Sequence, residues 1–179
     1  MDMNNRNDRE LNEALLYSAS FFIQSNRKIG KPSFLHSIRV SQLAQKMDYE
    51  KNVVISAVLH DLIEDTNCTI ANIQIRWGNF IAEIVDSLTI KDNGLSKFEA
   101  FQESLERSVK VGKESLIVRV LDVIDNMDYF EKANEEDKKY LQNKYCYLFL
   151  ICKKEIPKEK AFLHFEEKLM SLGFLDCLK

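Results

Sequence analysis

Apolar residues recur along this chain at three- and four-residue steps, the period of a helix with one buried face. Leu11, Ala14, Leu15, Ser18 and Phe22 keep that step and predict a first helix over about residues 8–25. "SNRKIGKP" interrupts it, with Gly30 and Pro32 as stop signals. Ser33 reads as the N-cap of a second helix over about residues 34–47, where Leu35, Ile38, Leu43 and Met47 form the apolar stripe. A third helix is expected over about residues 51–63. A loop, a short helix ending near Gly78 and a helix to about Leu88 follow. The next helix runs to about Val111, and another opens after Gly112. The aromatic-rich "DKKYLQNKYCYLFLICKKE" reads as a core helix, and Pro157 precedes a last helix over about residues 158–172. No segment alternates as a half-buried strand would. The pattern predicts an all-α fold of about eight or nine helices joined by short connections.

Composition narrows this only a little. At 179 residues the chain is expected to form one domain, 1–179, large enough to bury a self-sufficient core. Only 5 Gly and 2 Pro agree with helices rather than a turn-rich β fold. A net charge of −3 argues against DNA or RNA as the main partner, because such binding needs a large positive surface. A small phosphorylated ligand needs only a local basic cluster or a metal. No apolar run is long enough for a membrane span and no N-terminal signal is visible. Cys68, Cys146, Cys152 and Cys177 form no C-x-x-C pair and match no zinc spacing, so reduced thiols in a cytoplasmic protein are expected.

The chemistry gathers in "HDLIEDT", residues 60–66, where an apolar run ends on a histidine and three acids. An unpaired buried carboxylate is costly, so either the chain leaves the core at Leu59 or a cation meets these side chains. On a continuous helix His60 and Glu64 stand one turn apart, as do Asp61 and Asp65. A solvated helix end and a metal-binding corner both fit this stretch alone. His36 in "SFLHSIRV" follows Phe34 and Leu35, which suits a hydrogen-bonded core histidine as well as a ligand. His164 has no companion and reads as structural. In "LIVRVLDVIDNM", Leu116, Val120, Ile124 and Met127 form a stripe, while Arg119, Asp122 and Asn126 share a polar face. Spacing leaves open whether that face meets solvent or a site.

The combination is what discriminates. A histidine, a His-Asp pair 24 residues later and an aspartate on a later helix, in an all-α chain, resemble the HD metal-dependent phosphohydrolase superfamily. "HDLIEDT" further resembles the HD-x-x-ED signature of RelA/SpoT-type alarmone hydrolases and their stand-alone small relatives. "RKIGKPSFLHSIRVS", "TIANIQIRWGNFIAEIVDSLT" and "RVLDVIDNM" resemble the family's flanking elements, and the similarity spans about residues 12–130. The resemblance implies a divalent metal, of which Mn²⁺ is the expected species, on His36, His60, Asp61 and Asp122. It assigns Glu64 and Asp65 to orienting and deprotonating the attacking water. It gives Arg27, Lys28 and Asn126 to substrate binding, with Arg39 as electrostatic support. The implied reaction is hydrolysis of the 3′-pyrophosphate of (p)ppGpp to GDP or GTP and pyrophosphate.

The chain departs from the family pattern at Arg119, where lysine is usual, at Val123, where a basic residue is common, and at Asp125, where histidine is frequent. The segment between Lys91 and Gly112 also diverges. These departures are expected to bear on the substrate rather than on the metal ligands. Another nucleotide substrate (a nucleoside monophosphate, a cyclic nucleotide, a related alarmone or NADPH) and a non-catalytic nucleotide-binding HD module are the alternatives. Homo-oligomerisation through the aromatic-rich helix is a further option.

Overall fold

The computed structural model describes residues 3–25, 33–91 and 93–174. The periodic segments are helices, in the order α1 (Met3–Gln24), α2 (Ser33–Lys46), α3 (Lys51–Leu59), α4 (Leu62–Asp65), α5 (Ile70–Trp77) and α6 (Asn79–Leu88). Then come α7 (Lys97–Val111), α8 (Lys113–Met127), a 3-10 turn (Phe130–Lys132), α9 (Glu135–Glu155) and α10 (Lys160–Ser171). There is no strand among the described residues, so the all-α expectation holds. No helix among them is long and apolar enough to cross a membrane.

Two helices occupy the centre and are buried on nearly every side. In α3 every residue from Val53 to Leu59 is buried, and in α8 every residue from Ser115 to Asp125. Each fully buried Val, Ile or Leu contributes about 1.5–3 kcal/mol, so these are the elements whose displacement costs most. Around α8 pack α2, α3, α6, α7, α9 and α10, and α1 covers α3 from the other side. The aromatic-rich α9 is a core helix, with Tyr145, Leu148, Phe149 and Cys152 buried.

Local signals set the element ends. Thr69 and Ser96 form capping boxes with Asn72 and Glu99 at the starts of α5 and α7. Gly78 and Gly112, with φ of 87° and 127°, turn the chain sharply between α5 and α6 and between α7 and α8. Only glycine adopts that backbone without strain. Lys168 from α10 donates to Ile124 O at 2.9 Å and pairs with Asp128 at 2.6 Å, placing a cation at the negative end of α8.

Three expectations are corrected. The helix expected over residues 51–63 breaks at the His-Asp pair: Asp61 has φ −92° and ψ −4°, and the chain restarts as the single-turn α4. His60 and Asp61 therefore sit at a corner between two helices. Ser33 is the first residue of α2 rather than the residue capping it. Finally, Cys68 and Cys152 are free and buried, but Cys146 is disulfide-bonded, so four reduced thiols are not found.

Candidate functional site

Burial of α3 and α8 brings their polar residues to one place. His36 comes from α2, His60 and Asp61 from the α3–α4 corner, and Asp122 from the middle of α8. His36, His60 and Asp122 are buried, and each offers one ligand atom within 4.8 Å of the others. Asp122 Oδ1 lies 3.0 Å from His36 Nε2 and 3.7 Å from His60 Nε2. Asp61 stands beside them, with Oδ1 3.2 Å from His60 Nε2 and Oδ2 3.7 Å from His36 Nε2.

The imidazoles are turned so that both Nε2 atoms face the carboxylates. His60 Nδ1 donates to Ala57 O at 2.9 Å, which leaves Nε2 to carry the lone pair of the neutral ring. That atom is buried and makes no hydrogen bond, although two carboxylates surround it. His36 Nδ1 bonds Asp125 Oδ2 at 2.7 Å, and its Nε2 faces Asp122. A buried imidazole nitrogen without a hydrogen bond, aimed at two carboxylates, fits a cation better than any protein partner. Two imidazoles and two carboxylates suit a divalent transition metal.

The charges agree with that use. Burial would disfavour ionised Asp122, yet the His36 and His60 imidazoles hold it well below the ordinary carboxylate range. Burial opposes a charged His36 as well, but bonds to Asp122 and Asp125 push it up to about 9. Burial likewise disfavours charged His60, and Asp61 and Asp122 outweigh it, so its pKa is also raised. In the metal-free protein a charged His36 thus lies between the carboxylates of Asp122 and Asp125.

The remaining residues surround this cluster. Asn126 donates from Nδ2 to Asp122 Oδ1 at 2.5 Å, fixing the carboxylate from the next turn of α8. Glu64 on α4 is half-buried, and its Oε1 accepts from Ile90 N–H at 2.6 Å. Burial raises its pKa, opposed by that amide and reinforced by Asp61. Asp65 ends α4, with its amide on Asp61 O at 3.0 Å and its carbonyl taking Ser25 Oγ at 3.1 Å. Arg27 and Lys28 lie outside the described residues. His164 stays apart on α10, 3.7 Å from Glu167.

Two groups exceed the sequence reading. Asp125 is a second carboxylate on His36, itself gripped by Arg39 through Nε at 2.7 Å and Nη2 at 2.8 Å. The departure at Asp125 therefore places a carboxylate on a histidine of the cluster. Its signal was the three-residue step from Asp122 and the arginine one turn after His36. Arg119 is a buried cation beneath the site that donates to Ser87 O, Leu88 O and Ser104 Oγ. Its face of α8 points inward, although for such a face solvent is the usual neighbour.

The model of the HD domain family matches residues 14–150. The guanosine-3′,5′-bis(diphosphate) 3′-pyrophosphohydrolase of Aquifex aeolicus is 25% identical over 134 residues, covering 73% of this chain and 19% of that protein. The GTP pyrophosphokinase rsh of Brucella melitensis is 31% identical over 126 residues, 68% of this chain and 17% of that protein. The chain thus spans less than a fifth of the length of these curated relatives. Among solved structures, a metazoan SpoT ortholog that hydrolyses ppGpp superposes with a TM-score of 0.75 at 21% identity, covering 92% of this chain and 96% of that one. A Listeria monocytogenes protein superposes with a TM-score of 0.67 at 22% identity, over 80% and 99% of the two chains. These likenesses show a shared fold. With a family match over more than half its length, laid across the His-Asp corner and the aspartate of α8, the chain belongs to the HD domain family.

Proposed function

We propose that this chain is a divalent-metal-dependent phosphohydrolase, with Mn²⁺ as the working metal, that removes the 3′-pyrophosphate of (p)ppGpp. The observation that carries the reading is the convergence of His36, His60 and Asp122 within 4.8 Å, with Asp61 against both imidazoles. His36, His60, Asp61 and Asp122 would hold the metal. When bound, it supplies Lewis acidity and lowers the pKa of a coordinated water toward neutrality.

The chain's own residues do the rest. Glu64, whose pKa burial raises, and Asp65 orient the attacking water and take its proton. Water adds to the phosphorus attached to the ribose 3′ oxygen, that P–O bond breaks, and the 3′ oxygen leaves with a proton. The products are GDP or GTP and pyrophosphate. Asn126 keeps Asp122 in place and contacts the nucleotide, and Arg27 and Lys28 neutralise the phosphates. The whole of residues 1–179 serves as one hydrolase domain working in the cytoplasm. Purified protein with Mn²⁺ should release pyrophosphate from ppGpp, and Asp61→Ala should abolish the release. Full turnover by EDTA-treated Asp61→Ala protein would refute the assignment. A preference for a nucleoside 5′-monophosphate, a cyclic nucleotide or NADPH in the same assay would keep the HD chemistry and replace the substrate.

A further inference from the structure

Glu64 is held through the end of α6, because its Oε1 accepts the amide of Ile90, two residues past that helix. A helix leaves its last carbonyls without partners inside the helix. Here two guanidinium groups take them, one from α7 and one from α8. Arg107 of α7 donates through Nη1 to Asp86 O and through Nη2 to Thr89 O, the latter at 2.6 Å. Arg119 of α8 donates through Nη2 to Leu88 O at 2.9 Å and Ser87 O at 3.3 Å. Four consecutive carbonyls, from Asp86 to Thr89, are thus gripped by two cations at the negative end of the helix dipole. Each cation is itself fixed: Arg107 Nε bonds Glu103 at 2.8 Å, and Arg119 Nη2 bonds Ser104 Oγ at 2.9 Å. The next amide after this gripped stretch is the one on Glu64.

We propose that Arg107 and Arg119 form a clamp on the C-terminus of α6 that positions Glu64 for catalysis, making Arg107 a positioning residue of the reaction. The inference rests on the role given to Glu64 above. It requires guanidinium and not merely charge. A lysine at 107 keeps the cation near the helix end, but one compact ammonium on a flexible stem cannot reproduce the planar fork that spans the Asp86 and Thr89 carbonyls. Arg107→Lys therefore separates geometry from electrostatics.

The test compares wild type, Arg107→Lys, Glu64→Gln and the double variant. It reads kcat, KM for ppGpp and Mn²⁺ affinity, together with amide hydrogen exchange of Ile90 in metal-free protein. Arg107→Lys should lower kcat about tenfold or more, the scale of a sub-ångström misplacement, with KM and Mn²⁺ affinity within about twofold. Exchange at Ile90 should accelerate by a similar factor, and adding Arg107→Lys to Glu64→Gln should cost nothing further, because the two act as one unit. Unchanged Ile90 exchange, or the same fold-loss of kcat in both backgrounds, overturns the clamp. A Glu64→Gln protein with wild-type kcat removes its catalytic meaning. Wild type without turnover on ppGpp sinks the proposed reaction instead, and Ile90 exchange then decides the clamp by itself. Should Arg107→Lys fail to fold, Glu103→Ala, which removes the carboxylate that fixes Arg107 Nε, is read by the same kcat, Ile90 exchange and double-variant comparison.

Discussion

His36 is held from both ends of its ring, by Asp122 on one side and by Asp125 with Arg39 on the other. Asp125 is buried, and although burial alone would raise its pKa, His36 and Arg39 hold it at about 2. A carboxylate with a depressed pKa stabilises the fold at pH above its ordinary value, and that contribution fades as pH falls through the folded-state pKa. Here the window runs from about pH 4 down to about pH 2, and the contribution is about 2 kcal/mol. Asp125→Asn should therefore lower stability by about 2–3 kcal/mol at pH 7, since it breaks a charge-assisted pair. Urea titrations of the metal-free variant and wild type should show the gap closing across that window. A gap that stays constant from pH 7 to pH 2 would contradict this account of the pair. Asn126 gives a second residue-scale prediction. Asn126→Ala removes the 2.5 Å bond to Asp122, so Mn²⁺ affinity should fall about tenfold or more in calorimetry.

At the scale of elements, α8 carries most of the site and shows best what periodicity reveals. Its apolar stripe and its opening after Gly112 were legible, and so were the positions of nearly all the other helices. The inward direction of Arg119, Asp122 and Asp125 was not. A polar face on an amphipathic helix looks the same whether it meets water or a buried partner, and the partners of Asp125 lie 86 and 89 residues away. The break at His60 was hidden for a related reason, since the apolar run through Leu59 continues into Leu62 and Ile63 without a glycine or proline to mark it. The four proposed metal ligands were recognisable only as a set, whereas the clamp on α6 is made of backbone carbonyls, which no side-chain pattern reports. The α7–α8 junction is open to test. Gly112 combines φ 127° with ψ −171°, a region closed to side-chain-bearing residues. A Cβ there would make only ordinary contact with Glu114, at 3.6 Å, so the cost of Gly112→Ala is conformational. We expect a loss of about 1–3 kcal/mol in denaturant unfolding. An unchanged midpoint would show that the turn relaxes freely.

At the scale of the whole molecule, the site ties together α2, the α3–α4 corner and α8, three parts of one core. An ion that binds this arrangement and not the unfolded chain must stabilise the fold. With metal at about a hundred times its dissociation constant the gain is about 2.7 kcal/mol. For a chain of this length that corresponds to a rise in Tm of about 5–10 °C on adding Mn²⁺, reversed by EDTA. Asp61→Ala should erase most of the rise, measured against the variant's own metal-free Tm. A rise that survives the substitution would place the ion elsewhere. The claim under all of this is that side chains from three elements meet on one divalent cation. Anomalous diffraction at the manganese edge from crystals grown with Mn²⁺ tests it most directly. One peak bound by His36, His60, Asp61 and Asp122 is the predicted result; a peak away from those four residues, or none in crystals that diffract well, would contradict it.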